Sequence, residues 1–212
     1  MNPRQMHYET LAGTVIKNLA RRRMEGYYCA TVEEAEKMAF SFLTPGCTVS
    51  FGGSMTLEDT GMLTALRHDP GITLLDRAGA KTPEETKKIY HDALSADFYF
   101  MSANAITKDG ELVNIDGTGN RVAALIYGPE HVIVMAGMNK VAANVDEALS
   151  RVHGTATPMN CKRLGKNTPC AATGVCSDCL SPDCICNQVV ITRRSGIEGR
   201  IKVILIGEEL GY

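Results

Sequence analysis

The sequence predicts an α/β fold in which a mostly parallel sheet is flanked by helices. Short apolar segments alternate with capped helical segments up to about residue 153, and this order is typical of a parallel sheet covered by helices. Several apolar segments, such as residues 97–101 and 131–136, are hydrophobic enough to be buried strands. The chain has 212 residues, long enough for a sizeable core, and we expect one domain over residues 1–212.

Helical spacing and capping residues predict the helices. Apolar residues recur at helical spacing over residues 8–23 and indicate an amphipathic first helix. Residues 31–34 and 144–147 have the pattern of capping boxes, and residues 82–85 begin with Thr-Pro, a typical helix start. A further capping box is expected over residues 56–59, directly after a pair of glycines.

Short apolar segments between these helices predict the strands. The last two predicted strands follow a cysteine-rich segment, residues 161–187, which we therefore interpret as an insertion before two C-terminal strands rather than a tail. The predicted strands are residues 26–30, 47–51, 72–75, 97–101, 131–136, 189–192 and 201–206.

Composition and charge exclude several classes of protein. The net charge is −2, so there is no basic balance of the kind that nucleic-acid-binding proteins carry. No run of 18 apolar residues occurs, so we expect no transmembrane helix. Residues 1–7 lack an apolar core of the signal-peptide type, which indicates a cytoplasmic protein, in which disulfides are rare.

Residues 109–121 form the densest polar stretch of the chain. Glu111, Asn114, Asp116, Asn120 and Arg121 fall within eleven positions, beside two closely spaced glycines. Taken alone, the stretch fits a solvated hairpin turn and a ligand site equally well. Polar turns also follow the predicted strands that end near residues 51, 101 and 136, and ligands bind beyond the carboxyl ends of parallel strands. We therefore predict that these turns converge on one site.

The residue types in these turns suit a small anion. A glycine pair between a strand and a helix start lets the backbone approach a ligand closely, although the pattern is neither a P-loop nor a dinucleotide fingerprint. Glu58, Glu111 or Asp116 is a candidate general base, provided that burial tunes its pKa. The other polar groups expected at the ligand are Asn104, Asn114, Asn120, Arg121, Asn139 and Lys140, of which the two cations would hold a carboxylate or phosphate.

The cysteine-rich segment contains six of the eight cysteines and has almost no periodicity. Cys176 and Cys179 form a C-x-x-C pair, and Cys170 and Cys186 flank it, so these four thiolates would complete one metal site. Three interpretations stay open: an iron–sulfur cluster, a structural zinc ion, and free thiols or redox disulfides.

Several motifs in order resemble the LUD-domain family, which includes lactate-utilisation protein C. The resemblance spans residue 8 to the C-terminal end and implies a fold like that of glucosamine-6-phosphate deaminase, ribose-5-phosphate isomerase and CoA transferases. The matching residues are Gly52, Gly53, Ser54, Thr56, Glu58, 102–105, 110–117, 119–121, 128–129, 137 and 139–140.

The resemblance also implies where a ligand binds and in what metabolism. In the related enzymes the glycine loop holds phosphate or CoA, which places Gly52, Gly53, Ser54 and Thr56 at the ligand. The acidic motif of the isomerases is not reproduced, and neither is the ferredoxin repeat of the larger lactate-utilisation subunit. Three hypotheses follow: an enzyme or enzyme subunit acting on a small anionic metabolite, a non-catalytic subunit stapled by metal, and an electron-transfer component. Iron–sulfur oxidoreductase subunits are the expected protein partners, and the fold class suggests a homo-oligomer.

Overall fold

The computed structural model describes residues 2–212, which form ten strands and nine α-helices. The strands are β1 (Glu25–Cys29), β2 (Thr48–Phe51), β3 (Thr73–Leu75), β4 (Phe98–Met101), β5 (Ala105–Thr107), β6 (Leu112–Asp116), β7 (His131–Gly137), β8 (Val141–Ala142), β9 (Gln188–Thr192) and β10 (Ile201–Ile206). The helices are α1 (Pro3–Arg21), α2 (Val32–Phe40), α3 (Met55–Asp59), α4 (Met62–His68), α5 (Pro83–Asp92), α6 (Asn120–Ile126), α7 (Val145–Arg151), α8 (Thr157–Arg163) and α9 (Pro169–Thr173).

Six strands form a parallel sheet in the order β1-β10-β7-β4-β2-β3. Every neighbouring pair in this sheet runs parallel, which confirms the predicted fold class. The crossovers place helices on both of its faces. One face packs against α1 and α6, and the opposite face packs against α2, α3 and α4.

Strand β4 explains why the central strands are hydrophobic without alternation. Its residues point alternately to the two faces: Tyr99 and Met101 pack with α1 and α6, whereas Phe98 and Phe100 pack with α2 and α4. All four are buried. A strand covered by helices on both sides has no solvent face, so every position favours an apolar residue.

A second sheet, in the order β8-β5-β6-β9, lies at the polar stretch and was not predicted. Strand β6 pairs antiparallel with both β5 and β9, so residues 112–116 are a strand and not a hairpin turn. The two C-terminal strands were predicted correctly as strands, but they belong to different sheets. Strand β9 lies at the edge of the small sheet, and β10 lies inside the large one.

Local details also differ from the prediction. Helix α1 begins at Pro3 rather than residue 8, because Asn2 and Gln5 form a capping box there. The cap of α3 is Ser54, which accepts a hydrogen bond from the Leu57 N–H, so the capping box expected over residues 56–59 is wrong. In the cysteine-rich segment two short helices, α8 and α9, carry Cys161 and Cys170, and residues 174–187 are irregular.

No helix within residues 2–212 is long and apolar enough to cross a membrane.

Candidate functional site

A polar cleft of about 450 Å³ opens where the polar turns after several strands meet. Strands β2, β4 and β7 are adjacent in the large sheet, so Gly53, Ser102 and Lys140, which follow them, lie at the same edge. The end of β6 adds Asp116, and Asn120 follows at the start of α6. The predicted turns therefore converge on one cleft, as expected for ligand sites in parallel sheets.

Arg121 lies in the cleft wall, and its guanidinium contacts protein groups through all three of its nitrogens. The side chain is buried, and its two terminal nitrogens donate four hydrogen bonds of 2.6–3.0 Å. The remaining nitrogen, Nε, lies 3.6 Å from Asp116 Oδ1. Four of the five N–H donors of the guanidinium are therefore used in hydrogen bonds within the protein, and the fifth faces the Asp116 carboxylate. The four acceptors are Ser102 O, Asn114 Oδ1, Asn104 Oδ1 and Ile115 O.

Lys140 is the buried amine of the cleft. Its side chain is 3% exposed, and Nζ donates to Thr56 Oγ1 at 2.7 Å and to Ser102 Oγ at 3.1 Å. Burial, aided by the charges of Arg151 and Arg121, lowers the pKa of Lys140 to about 7. Because both neighbours are neutral hydroxyls, no carboxylate compensates the desolvated charge in direct contact. Near neutral pH the amine therefore exists in both protonation states.

Three further cations line the cleft, and sequence reasoning missed all of them. Arg77, in the turn after β3, lies against Gly53 and above the Tyr90 ring. Arg163 and Lys166 come from the end of α8 and the residues after it. Within residues 2–212, neither Arg77 nor Lys166 donates a side-chain hydrogen bond or forms an ion pair, whereas Arg163 contacts neutral oxygens.

Asp116 is the one acidic side chain among the described residues that line the cleft. Its Oδ2 accepts a hydrogen bond from the Val122 N–H at 3.2 Å, and its Oδ1 faces Arg121. Both oxygens thus hold the start of α6 and the guanidinium in place. The predicted base Asp116 is consequently at the cleft but committed to the protein.

The other two predicted bases do not line this cleft. Glu58 lies on the exposed side of α3. Glu111 forms an ion pair with Arg22 and a hydrogen bond with Thr107, and it lines a separate groove with Arg193. Strand β6 explains the separation: Glu111 and Asp116 stand at its opposite ends, one beside α1 and the other at the cleft.

Four of the predicted ligand residues act one layer behind the cleft surface. Asn114 is fully buried and orients Arg121 through its side-chain oxygen. Thr56 is also fully buried and contacts the Lys140 amine. Asn139 accepts from the Leu210 N–H at 3.2 Å and does not line the cleft. Gly52 is buried beneath Arg121. The predicted ligand residues that do line it are Gly53, Ser54, Asn104, Asn120, Arg121 and Lys140, beside the predicted base Asp116.

Gly52 and Gly53, in the loop after β2, have different surroundings, and replacing each by alanine tests this difference. A Cβ on Gly52 would lie 3.0 Å from Arg121 Cδ and 3.2 Å from the Tyr99 hydroxyl, both in packed surroundings. A Cβ on exposed Gly53 would meet only the far end of the long Arg77 side chain. We expect Gly52→Ala to destabilise the fold by about 1–3 kcal/mol and Gly53→Ala to leave it nearly unchanged. Urea unfolding of both variants measures this, and equal losses would contradict it.

A second cavity, of about 380 Å³, lies in the cysteine-rich segment. The four predicted metal ligands, Cys170, Cys176, Cys179 and Cys186, all line it, together with Cys161 and Cys184. All six thiols are free, and within residues 2–212 no three Cys, His, Asp or Glu side chains converge tightly enough to hold a single metal ion. Burial raises the pKa of the Cys186 thiol to about 12, so the unliganded thiol is protonated at neutral pH.

Comparison with known proteins gives the family and the fold. The sequence profile of the LUD domain matches residues 13–206. The chain is similar to a crystal structure of a DUF162 family protein from Deinococcus radiodurans, with 13% identity, a TM-score of 0.53, and coverage of 94% of this chain and 98% of that one. Ribose 5-phosphate isomerase A from Methanocaldococcus jannaschii is 15% identical over 55% of this chain and 56% of its own, with a TM-score of 0.33. No curated protein sequence matches the chain.

Proposed function

This chain belongs to the LUD-domain family, and we propose that it is an enzyme or enzyme subunit of organic-acid metabolism of the lactate type. Its ligand would be a small anionic metabolite, a carboxylate or a phosphate ester, bound in the polar cleft. The proposal includes a cytoplasmic location, and it includes iron–sulfur oxidoreductase subunits as partners, which the family resemblance implies.

The charge of the cleft carries this proposal. Among the described residues, Arg77 and Lys166 line it without an ion pair or a side-chain hydrogen bond, and Lys140 has only hydroxyl partners. The one acidic side chain lining it, Asp116, is already committed to Arg121 and α6. Uncompensated cations in a concave site attract an anion, and a volume of about 450 Å³ suits a small metabolite.

Lys140 is the group that we assign to proton transfer. A general acid or base works best when its pKa lies near the working pH, and the pKa of Lys140 is lowered to about 7. Thr56 and Ser102 fix the position of Nζ, so the amine is held rather than mobile. The protonated amine would neutralise a bound carboxylate or phosphate, and the neutral amine would accept a proton from a neighbouring hydroxyl or carbon of the same metabolite.

Arg121 then has a positioning role, because its donors are used by the protein. It joins the loop after β4 to strand β6 and thereby fixes part of the cleft wall. This assignment replaces the expectation that Arg121 itself holds the anion. The anion contacts would come instead from Arg77, Lys166 and Lys140.

Calorimetric titration with inorganic phosphate, lactate and a sugar phosphate tests the proposal. We expect at least one of these anions to bind, and we expect Arg77→Ala and Lys166→Ala each to weaken that binding about tenfold, the effect of losing one charge-assisted hydrogen bond. Lys17→Ala is the matched control, because Lys17 is exposed on α1 and does not line the cleft. Equal binding by all three variants would place the anion elsewhere and contradict the proposal.

A further inference from the structure

Two hydroxyl groups hold the ε-amine of Lys140 at the wall of the polar cleft. Nζ donates to Thr56 Oγ1 at 2.7 Å and to Ser102 Oγ at 3.1 Å, and within residues 2–212 it forms no ion pair with a carboxylate. Thr56 is fully buried, whereas Ser102 and Lys140 both line the cleft. The amine is therefore fixed in position at a space that a metabolite can enter.

Both hydroxyl groups use their own hydrogen atoms elsewhere. Thr56 Oγ1 donates to the Leu210 carbonyl oxygen at 3.4 Å, and Ser102 Oγ donates to the Ala103 carbonyl oxygen at 3.3 Å. A hydroxyl that has donated its single hydrogen still has lone pairs, so both oxygens act as acceptors toward Lys140. Two N–H groups of the amine are satisfied in this way.

The third position on the Lys140 nitrogen has no protein partner among the described residues. In the protonated amine this position would hold an N–H without an acceptor, together with a buried charge. In the neutral amine it holds the lone pair, and no donor is left unsatisfied. Buried donors without partners are costly, so the two hydroxyl contacts suit the neutral amine with its lone pair free. Burial also lowers the pKa of Lys140 to about 7, so much of the amine is neutral near pH 7.

A neutral lysine amine with a free lone pair is a nucleophile, and the groups that lysine typically attacks in enzymes are carbonyl carbons. The same cleft contains Arg77 and Lys166, the cations to which we assign the anion contacts. A small metabolite held there by a carboxylate or phosphate would place its other groups in the cleft that Lys140 lines. A carbonyl on such a metabolite is therefore the group that this amine is suited to capture.

We propose that Lys140 forms an imine with a small metabolite that carries both a carbonyl group and an anionic group, either a 2-oxo acid or a phosphorylated aldehyde or ketone. This inference rests on the anion binding proposed above and adds to it a covalent step and a substrate class. The nitrogen lone pair attacks the carbonyl carbon to give a carbinolamine. The carbonyl oxygen then leaves as water with the two hydrogens of the amine, and a C=N bond replaces the C=O bond.

The Ser102 hydroxyl is placed to help these proton transfers. It accepts a hydrogen bond from Nζ and lines the cleft, so it can pass a proton from the nitrogen to the departing oxygen. Imine formation changes no oxidation state, so the step consumes no oxidant or reductant. Water reverses it and restores the free amine.

Reductive trapping of the full chain with sodium cyanoborohydride tests the proposal. The probes are pyruvate, glyceraldehyde 3-phosphate and acetone, of which acetone has a carbonyl but no anionic group. Hydride from the reagent adds to the imine carbon and converts the imine into a stable secondary amine, which peptide mapping by mass spectrometry locates. We expect pyruvate or glyceraldehyde 3-phosphate to label Lys140 at least about tenfold more than any exposed lysine, because ordinary lysines are almost fully protonated at pH 7.

Three variants define the site. Lys140→Met is expected to lose the adduct, and Lys162→Met, the matched control, is expected to keep it, because Lys162 is exposed on α8 and does not line the cleft. Arg77→Ala is expected to lower trapping of the anionic probe about tenfold and to leave trapping of acetone unchanged. Circular dichroism checks the fold of each variant, and if Lys140→Met is unfolded, peptide mapping of the natural chain decides the outcome.

The possible results separate this inference from the anion binding on which it rests. Calorimetric binding of an anion without any adduct at Lys140 would overturn the imine and leave the proposed function intact. Adducts at Lys166, or adducts spread evenly over the exposed lysines, would also overturn it. Equal trapping of acetone and pyruvate at Lys140 would uphold the covalent step but overturn the anionic substrate class.

Discussion

Replacing Arg121 by alanine is expected to destabilise the protein by about 3–5 kcal/mol, the largest loss that we predict for one side chain outside the apolar core. Arg121 is 8% exposed, and its guanidinium holds four acceptors from two segments of the chain, the loop after β4 and strand β6. Its removal leaves the side-chain oxygen of buried Asn114 and the carboxylate of Asp116 without their cationic partner. A buried acceptor that loses its donor bears the full desolvation penalty.

Urea unfolding monitored by circular dichroism measures this loss, with Arg121→Lys as an intermediate variant. Lysine keeps the charge but cannot present donors in the planar fork that meets both Asn104 and Asn114, so we expect it to recover only part of the stability. Arg194→Ala is the matched control, because Arg194 is exposed and within residues 2–212 donates no side-chain hydrogen bond. A loss below about 1 kcal/mol for Arg121→Ala would show that the network does not stabilise the fold.

The large sheet was predictable because its signals are local. Buried strands such as β4 and β7 are continuous apolar runs, and Thr31, Thr82 and Asn144 cap the helices in the predicted way. The small sheet gave no such signal. Strand β6 contains buried Asn114, whose polarity is tolerated only because Arg121 lies beside it in the fold, and no local pattern reveals that partner.

The residues of the candidate site also fall into a group that the sequence predicted and a group that it did not. Residues that directly follow strands of the large sheet, such as Gly53 and Lys140, were found from their position in the sequence. Arg77, Arg163 and Lys166 were missed because each follows or ends an element with no polar motif, and only the packing of distant segments brings them to the cleft. Glu111 was predicted at the same site because it is close to Asp116 in sequence. Strand β6 separates the two residues in the fold, and Glu111 lines a different groove.

Lys140→Met is expected to remove a pH dependence of stability that the natural protein has. The folded-state pKa of Lys140 is about 7, and its ordinary value is 10.5. Between these values the unfolded chain holds a proton that the folded chain has released, so this residue makes the free energy of unfolding rise with pH. Across that window the free energy of unfolding rises by about 1.4 kcal/mol per pH unit. The added stability is complete above the unfolded-state pKa, and it is lost as the pH falls through 7.

Urea unfolding at several values between pH 7 and pH 9 measures this slope, and the informative quantity is the difference between the natural protein and Lys140→Met. Methionine also leaves the hydroxyls of Thr56 and Ser102 without the amine, but that loss is the same at every pH and does not alter the slope. Lys17→Met is the control, because an exposed lysine should leave the slope unchanged. Parallel curves for all three proteins would show that Lys140 titrates as an ordinary lysine.

Protonation of Lys140 should also govern the affinity for an anionic ligand. The same amine would then determine how both stability and ligand binding depend on pH. A bound anion favours the protonated amine, so its affinity is expected to fall about tenfold per pH unit above pH 7 and to level off below it. Lys140→Met should bind the anion more weakly at pH 6 and lose this dependence, because the charge that titrates is gone. Affinity that is independent of pH in the natural protein would mean that Lys140 does not face the bound charge, and the proton-transfer role would then have no group in the cleft to perform it.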